Sequence, residues 1–185
     1  MAETLVTEGK RRVLTGQQVE GREYVTFHLN EEVYAFEALR VQEIIELTNV
    51  TKVPHLPDYM KGVINLRGTI IPVVDLKQKF IMGSGDYKKH TCIIVTEFSG
   101  GVMGLIVDAV SDILNLDRES ISATPSFGTR INTEFIAGMG RVGDNLVLVL
   151  DVDKVLTQEE ATVAAQVSAG VQGDQLTTCF DTKNN

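Results

Sequence analysis

The chain has 185 residues, no tryptophan and a formal net charge of −8 at pH 7, long enough to bury a sizeable core as one ordinary domain or two small lobes. The acidic balance argues against a nucleic-acid binder and against an electrostatic anchor on anionic lipid, since both need a basic surface. No run approaches the roughly eighteen apolar residues of a membrane span, and the opening MAETLVTEGKRR has no apolar stretch behind its charges, so the expected location is cytoplasmic, with no direct membrane insertion.

Residues 1–22 are polar, carry a basic cluster at Lys10-Arg11-Arg12 and show no steady periodicity. They read as a disordered arm: ordering each residue costs on the order of 1–2 kcal/mol, and Leu5, Val6, Val13, Leu14 and Val19 supply too little apolar area to offset that alone. The basic cluster is either a docking site or a solvated stretch. Residues 24–29 alternate, with Val25, Phe27 and Leu29 on one face, and predict a strand. Asn30-Glu31-Glu32 makes the turn and 33–38 returns. Residues 41–47 keep β character, and the adjacent Ile44 and Ile45 imply burial on both faces or a bend. Pro54 and Pro57 then bracket a loop that contains His55.

The stretch 61–80, KGVINLRGTIIPVVDLKQKF, organises the first half. Val63, Ile64 and Leu66 form one strand and 69–74 the next, both rich in residues that suit a pleated surface. Gly68 supplies the positive φ of a tight hairpin turn, which leaves Arg67 at the tip. Asp75 closes the second strand, where its carboxylate can accept the backbone N–H groups that open a short helix over 76–80.

Gly83-Ser84-Gly85 marks the boundary between the halves. Beyond it, 91–97 and 102–107 form a strand pair turning at Ser99-Gly100-Gly101. The pattern then repeats. Val41, Ile44 and Leu47 recur as Val110, Ile113 and Leu116, each 69 residues on, while Gly62 and Asp75 recur as Gly138 and Asp151, each 76 residues on. A longer loop around 125–133 accounts for the difference. Two offsets shared by several residue types predict two copies of one small all-β unit, each ending in a helical turn. The copies differ at the hairpin tip, where Arg67-Gly68 corresponds to Gly143-Asp144. A requirement of the fold would recur at both positions, so Arg67 is a candidate functional residue. After Leu156 the composition turns to Glu, Gln, Ala, Ser, Gly and Thr, and 157–185 reads as a mostly disordered tail with at best a marginal helix at 159–169.

Signatures of catalysis are missing. His28, His55 and His90 stand alone, without HExxH, CxxC or a glycine-rich phosphate loop. Ser99 and Ser126 lack a nucleophile-elbow pattern. Gly138 and Gly140 precede a strand, whereas a dinucleotide site needs glycines after one. Asp75 and Asp151 are explained as helix caps. Cys92 and Cys179 are expected to remain reduced thiols. The expectation is a non-enzyme with no catalytic residues, no metal and no cofactor.

The run GVINLRGTIIPVVDL, preceded by VQEII at 41–45 and KVP at 52–54, resembles the CheW family of bacterial chemotaxis coupling proteins. GLIVDAVSDILNL at 104–116 and FIAGMGRVGDNLVLVLD at 135–151 extend the resemblance across 23–156. It implies an all-β fold of two SH3-like five-stranded β-barrel subdomains with short helical turns, the first repeat at about 23–82 and the second at about 88–156. It also implies a non-catalytic adaptor that links the cytoplasmic tips of methyl-accepting chemoreceptors to the regulatory domain of the histidine kinase CheA, recruited to receptor clusters at the membrane. In the family the receptor tip lies in the groove between the barrels, and the kinase domain joins end to end in rings, so self-association is a further implication. Position by position, the family's motifs fall on Val41-Gln42-Glu43-Ile44, Lys61-Gly62-Val63 and Asn65-Leu66-Arg67-Gly68. The candidate partner-binding residues are therefore Val41, Glu43, Ile44, Gly62, Asn65, Arg67 and Gly68. Structural alternatives stand beside them: Val41 and Ile44 as core, Gly62 as a backbone requirement, Arg67 in an internal ion pair with Glu43. Rival functions are a small-molecule-binding β-barrel and a related scaffold for another signalling system, such as pilus motility.

Overall fold

The computed structural model describes residues 21–83, 86–123 and 133–170. The basic cluster at 10–12, Ser84-Gly85 of the predicted boundary, most of the 125–133 loop, Cys179 and the rest of 171–185 lie outside the described residues. Eleven strands are described: β1 (Arg22–Leu29), β2 (Glu32–Glu37), β3 (Val41–Glu46), β4 (Met60–Leu66), β5 (Thr69–Asp75), β6 (Cys92–Phe98), β7 (Gly101–Val107), β8 (Ala109–Leu116), β9 (Ile121–Ser122), β10 (Ile136–Val142) and β11 (Asn145–Leu150). Helices α1 (Leu76–Lys79), α2 (Val152–Val155) and α3 (Gln158–Gly170) complete them.

The strands form two sheets, ordered β8-β1-β2-β11-β10-β9 and β3-β6-β7-β5-β4. Within each, the chain following the edge strand curls back on its own sheet: Thr51, after β3, pairs with Val63 of β4, and β9, after β8, pairs with β10. This is the all-β, two-lobed SH3-like architecture. The repeat appears as β1 to β5 and then β6, β7, β8, β10 and β11. Equivalent strands hold equivalent places, including the parallel pairings β5 with β7 and β11 with β2. The register slips at matching bulges, between Met60 and Gly62 and between Ile136 and Gly138. Asp75 and Asp151 cap α1 and α2 by accepting backbone N–H groups, as their equivalent places predict.

The repeats and the sheets do not coincide. Hairpin β1–β2 of the first repeat lies in the sheet of the second, and β6–β7 of the second lies in the sheet of the first. These hairpins are buried on both faces. Ile93, Val95 and Ile106 point into one lobe, while Ile94, Met103, Leu105 and Val107 point into a central cluster shared with Phe27, Tyr34 and Phe36 from the other sheet. A third cluster fills the second lobe around Tyr24, Ala35, Leu116 and Val149. The largest core is thus the one between the sheets, and the exchanged hairpins form its walls. An ion pair locks the same seam: Lys77 of α1 meets Asp108 at 2.6 Å, whose other oxygen accepts the Asn30 N–H at 2.8 Å.

Where the composition allows at best a marginal helix at 159–169, Gln158–Gly170 is helical and packs Ala161, Val163 and Ala164 against the central core. A capping box starts it. Thr157 Oγ1 accepts the Glu160 N–H at 3.3 Å and Glu160 Oε2 accepts the Thr157 N–H at 2.8 Å, satisfying two donors that a free helix end would leave to water. Glu160 also pairs with Lys79 at 2.5 Å and accepts the Tyr59 hydroxyl. Tertiary contacts therefore stabilise a helix too short to persist alone. No described helix is long and apolar enough to cross a membrane.

Candidate functional site

The β4–β5 hairpin turns through Arg67 at φ 51° and Gly68 at φ 87°, the two positive angles of a tight two-residue turn. Gly68 adopts its angle freely, but Arg67 bears a side chain there, a conformation costing on the order of 1–2 kcal/mol. Asn65 supports the turn by accepting the Gly68 N–H on Oδ1 at 2.8 Å. From the tip, one guanidinium nitrogen of Arg67 donates to Glu43 Oε2 on β3. The arginine side chain nevertheless stays 74 % exposed, so most of its donors face solvent, and an exposed pair of this kind contributes about 0–1 kcal/mol.

Asn65, Arg67, Gly68 and Glu43 are thereby one bonded unit. The other candidates stand apart from it. Ile44 follows Glu43 and, by strand alternation, faces the other side of β3, where it is 44 % exposed; it is not core. Ile45 is the member of that pair that packs inward. Val41 is half-buried against the central cluster, paired with Thr96 of β6. Gly62 is buried at the β4 bulge with φ +136°, and a Cβ there would fall 1.9 Å from the Thr51 carbonyl oxygen. Its glycine is a requirement of the backbone, as its recurrence at Gly138 suggests.

The pseudo-equivalent corner of the other lobe has a different character. Ile113, the counterpart of Ile44, is 65 % exposed on edge strand β8, and Leu146 is 53 % exposed on β11. The tip there is Gly143-Asp144, with a positive φ at Gly143. Ile113 was legible as the repeat of Ile44. Two further features have no counterpart among the sequence candidates: Ile81, 93 % exposed with φ 58°, and the Tyr59–Lys79–Glu160 cluster. In that cluster burial alone would push the Glu160 carboxyl up, but hydrogen bonds from Lys79, Tyr59 and the Thr157 N–H outweigh it and hold the carboxyl below its usual value. Burial, then the bond to Glu160, pushes the Tyr59 phenol up. Burial likewise pushes the Cys92 thiol up, which disfavours its reactive thiolate. No group of three or more His, Cys, Asp or Glu side chains gathers as a metal site among the described residues. What the arrangement offers is charged and apolar side chains on sheet edges and tips, the chemistry of protein recognition.

The family model described as CheW-like domain matches residues 23–160. The chain is 39 % identical over 155 residues to chemotaxis protein CheW of Klebsiella aerogenes, covering 84 % of this chain and 93 % of that protein. It is 33 % identical over 156 residues to chemotaxis protein CheW of Treponema pallidum, covering 81 % and 91 %. Among solved structures it is similar to the scaffolding protein TtCheW from Thermoanaerobacter tengcongensis, with a TM-score of 0.69 and 36 % identity over 74 % of this chain and 88 % of that one.

Proposed function

The chain belongs to the CheW family of chemotaxis scaffold proteins, and from that premise we propose that it is the non-catalytic adaptor that couples the cytoplasmic tips of chemoreceptors to the regulatory domain of a CheA-type histidine kinase. It works in the cytoplasm, recruited to receptor clusters at the membrane. The observation that carries the reading is the asymmetry of the hairpin tips. Arg67 occupies a backbone conformation where glycine would be cheaper, is held among the described residues by a single bond to Glu43, and keeps most of its guanidinium in solvent. The second repeat carries no arginine there. A residue that costs backbone strain and adds little internal stability suits a contact made with another protein. Glu43 aims it, and Asn65 and Gly68 hold the turn.

Receptor tips bind along the seam between the two lobes, in this reading, next to Val41 and the Gly62 bulge, with the kinase domain joined at the lobe ends. The ends are chemically complementary, which supports end-to-end assembly, self-association in rings included: one presents the Arg67 guanidinium, and the other has Glu31, Glu32 and Asp144 around apolar side chains. The test is calorimetric titration of the kinase regulatory domain with the parent chain and with Arg67→Ala. An interface anchor loses about 2 kcal/mol of binding, roughly thirtyfold in affinity, on truncation, while stability changes by about 0–1 kcal/mol. A folded variant of unchanged affinity for kinase and receptor fragments overturns the assignment of Arg67.

A further inference from the structure

We propose that the chain's own segment 10–14, KRRVL, docks in an acid-rimmed groove on the six-stranded sheet. The groove has a volume of about 420 Å³. Met139, Leu146 and Leu148 line it with apolar side chains and Glu31, Glu32 and Asp144 with carboxylates, and among the described residues no cation lines it. None of these three carboxylates takes part in an ion pair among the described residues, and Leu146 lies open in the middle of the patch. Three clustered carboxylates beside exposed leucine call for a segment with clustered cations followed by apolar side chains. Lys10-Arg11-Arg12-Val13-Leu14 is the one stretch of this sequence with three consecutive basic residues, and Val13 and Leu14 come directly after them.

The geometry of attachment agrees. The described chain starts at Gly21, packed near Asn115 and Asp117 at one end of β1, and the strand registers act as a ruler. Leu148 lies opposite Tyr34, itself opposite Phe27, and Glu32 lies opposite Leu29. From Arg22 these levels are about 17 and 23 Å along β1 at 3.3 Å per residue, and β11 is two strand spacings, about 10 Å, to the side. Leu148 is then about 20 Å from the start of β1, and Leu146, level with Glu32 in the parallel register, lies with the carboxylates at about 25 Å. An extended chain reaches about 23 Å from Gly21 to Leu14 and about 33 Å to Arg11. The arm's reach of about 26 Å to Val13 and about 33 Å to Arg11 therefore spans the straight-line distances to Leu146 and to the carboxylates. The docked arm would cover the acidic patch that end-to-end assembly offers to Arg67, so the two contacts compete for one surface.

The test uses the full chain in low salt. Zero-length carbodiimide coupling, read by mass spectrometry on the monomer fraction, is expected to join the Lys10 ammonium to Glu31, Glu32 or Asp144, and to lose that product in 0.5 M salt, where surface attraction is screened. In methyl NMR, the Leu146 and Met139 signals should shift when Arg11→Glu and Arg12→Glu are introduced together, while the melting temperature stays fixed. Leu146→Ser, on an exposed side chain, should reduce the Lys10 crosslink severalfold. Crosslinks confined to a dimer fraction would assign the groove to a second copy and overturn the intramolecular docking. Unmoved methyl signals, or Lys10 crosslinks spread evenly over acidic residues elsewhere, would overturn the groove as the site.

Discussion

Replacing Gly62 by alanine separates a backbone requirement from a partner contact, because the cost can be worked from the structure. The new Cβ would sit 1.9 Å from the Thr51 carbonyl oxygen and 2.7 Å from its carbon, rigid backbone atoms that can yield only if the 51–52 segment moves. Moving it breaks the two bonds of that bridge, Thr51 N–H to Val63 O at 2.8 Å and Val63 N–H to Thr51 O at 2.9 Å, each worth about 1 kcal/mol net. The φ of +136° adds strain of about 1–3 kcal/mol for any residue with a side chain. The total is about 3–5 kcal/mol, a large part of the stability of an ordinary domain. Gly68→Ala is the matched control: φ is +87° but nothing lies within 4 Å of the added carbon, so about 1 kcal/mol is expected. Urea unfolding followed by circular dichroism reads both, and with a slope of about 2 kcal/mol/M the Gly62 variant should lose roughly 2 M in midpoint against about 0.5 M for the control. A Gly62→Ala midpoint within 0.5 M of the parent, on about the same slope, would refute the steric argument and return Gly62 to the list of direct partner contacts.

Other outcomes follow from single contacts. The Glu160 carboxyl is held below its ordinary value of 4.5, so its contribution to docking α3 is complete above that pH and fades as the pH falls through the lowered value; the hydrogen-exchange protection factors of the α3 amides should fall over that lower range and, in Glu160→Gln, should already be reduced at pH 7. Thr96 Oγ1 is buried without a hydrogen-bond partner among the described residues, so Thr96→Val should raise stability by about 1 kcal/mol; a loss of that size would mean the hydroxyl is bonded. Ile81 occupies the left-handed position that closes α1, where Met82 N–H bonds to Lys77 O at 2.8 Å, and it buries almost nothing. Ile81→Gly should therefore gain between zero and about 1 kcal/mol, strain relief of about 1–2 less the added unfolded-chain entropy, and a destabilised variant would show that the side chain makes contacts within the fold.

Several elements were readable from local chemistry. The Arg67-Gly68 tip, the Asp75 and Asp151 caps and the two-copy pattern all rest on residues within a few positions of one another or on periodic recurrence. The helix over 158–170 also has a local start signal: Thr157-x-x-Glu160 is a capping box, and it opens α3 where composition alone favours at best a marginal helix. Composition could not reveal that Lys79 and Tyr59, about 80 and 100 positions away in sequence, would complete the binding of Glu160. Ile44 and Ile45 show the limit from the other side. Adjacent isoleucines on a strand must face opposite ways, and only the packed lobe decides that Ile45 goes in and Ile44 stays out.

The sequence by itself determined the strands, the turns, the helix starts and the repeat, because each depends on backbone preferences and periodicities that act over short range. Tertiary structure alone decided which hairpin joins which sheet. Strand pairing runs through backbone N–H and C=O groups, which are the same for every residue except proline, so a hairpin apolar on both faces fits either lobe equally well by sequence. The choice was made by the central core: exchanging β1–β2 and β6–β7 lets Phe27, Tyr34 and Phe36 meet Ile94, Met103 and Leu105, burying between the lobes the apolar faces that separate barrels would have left in water.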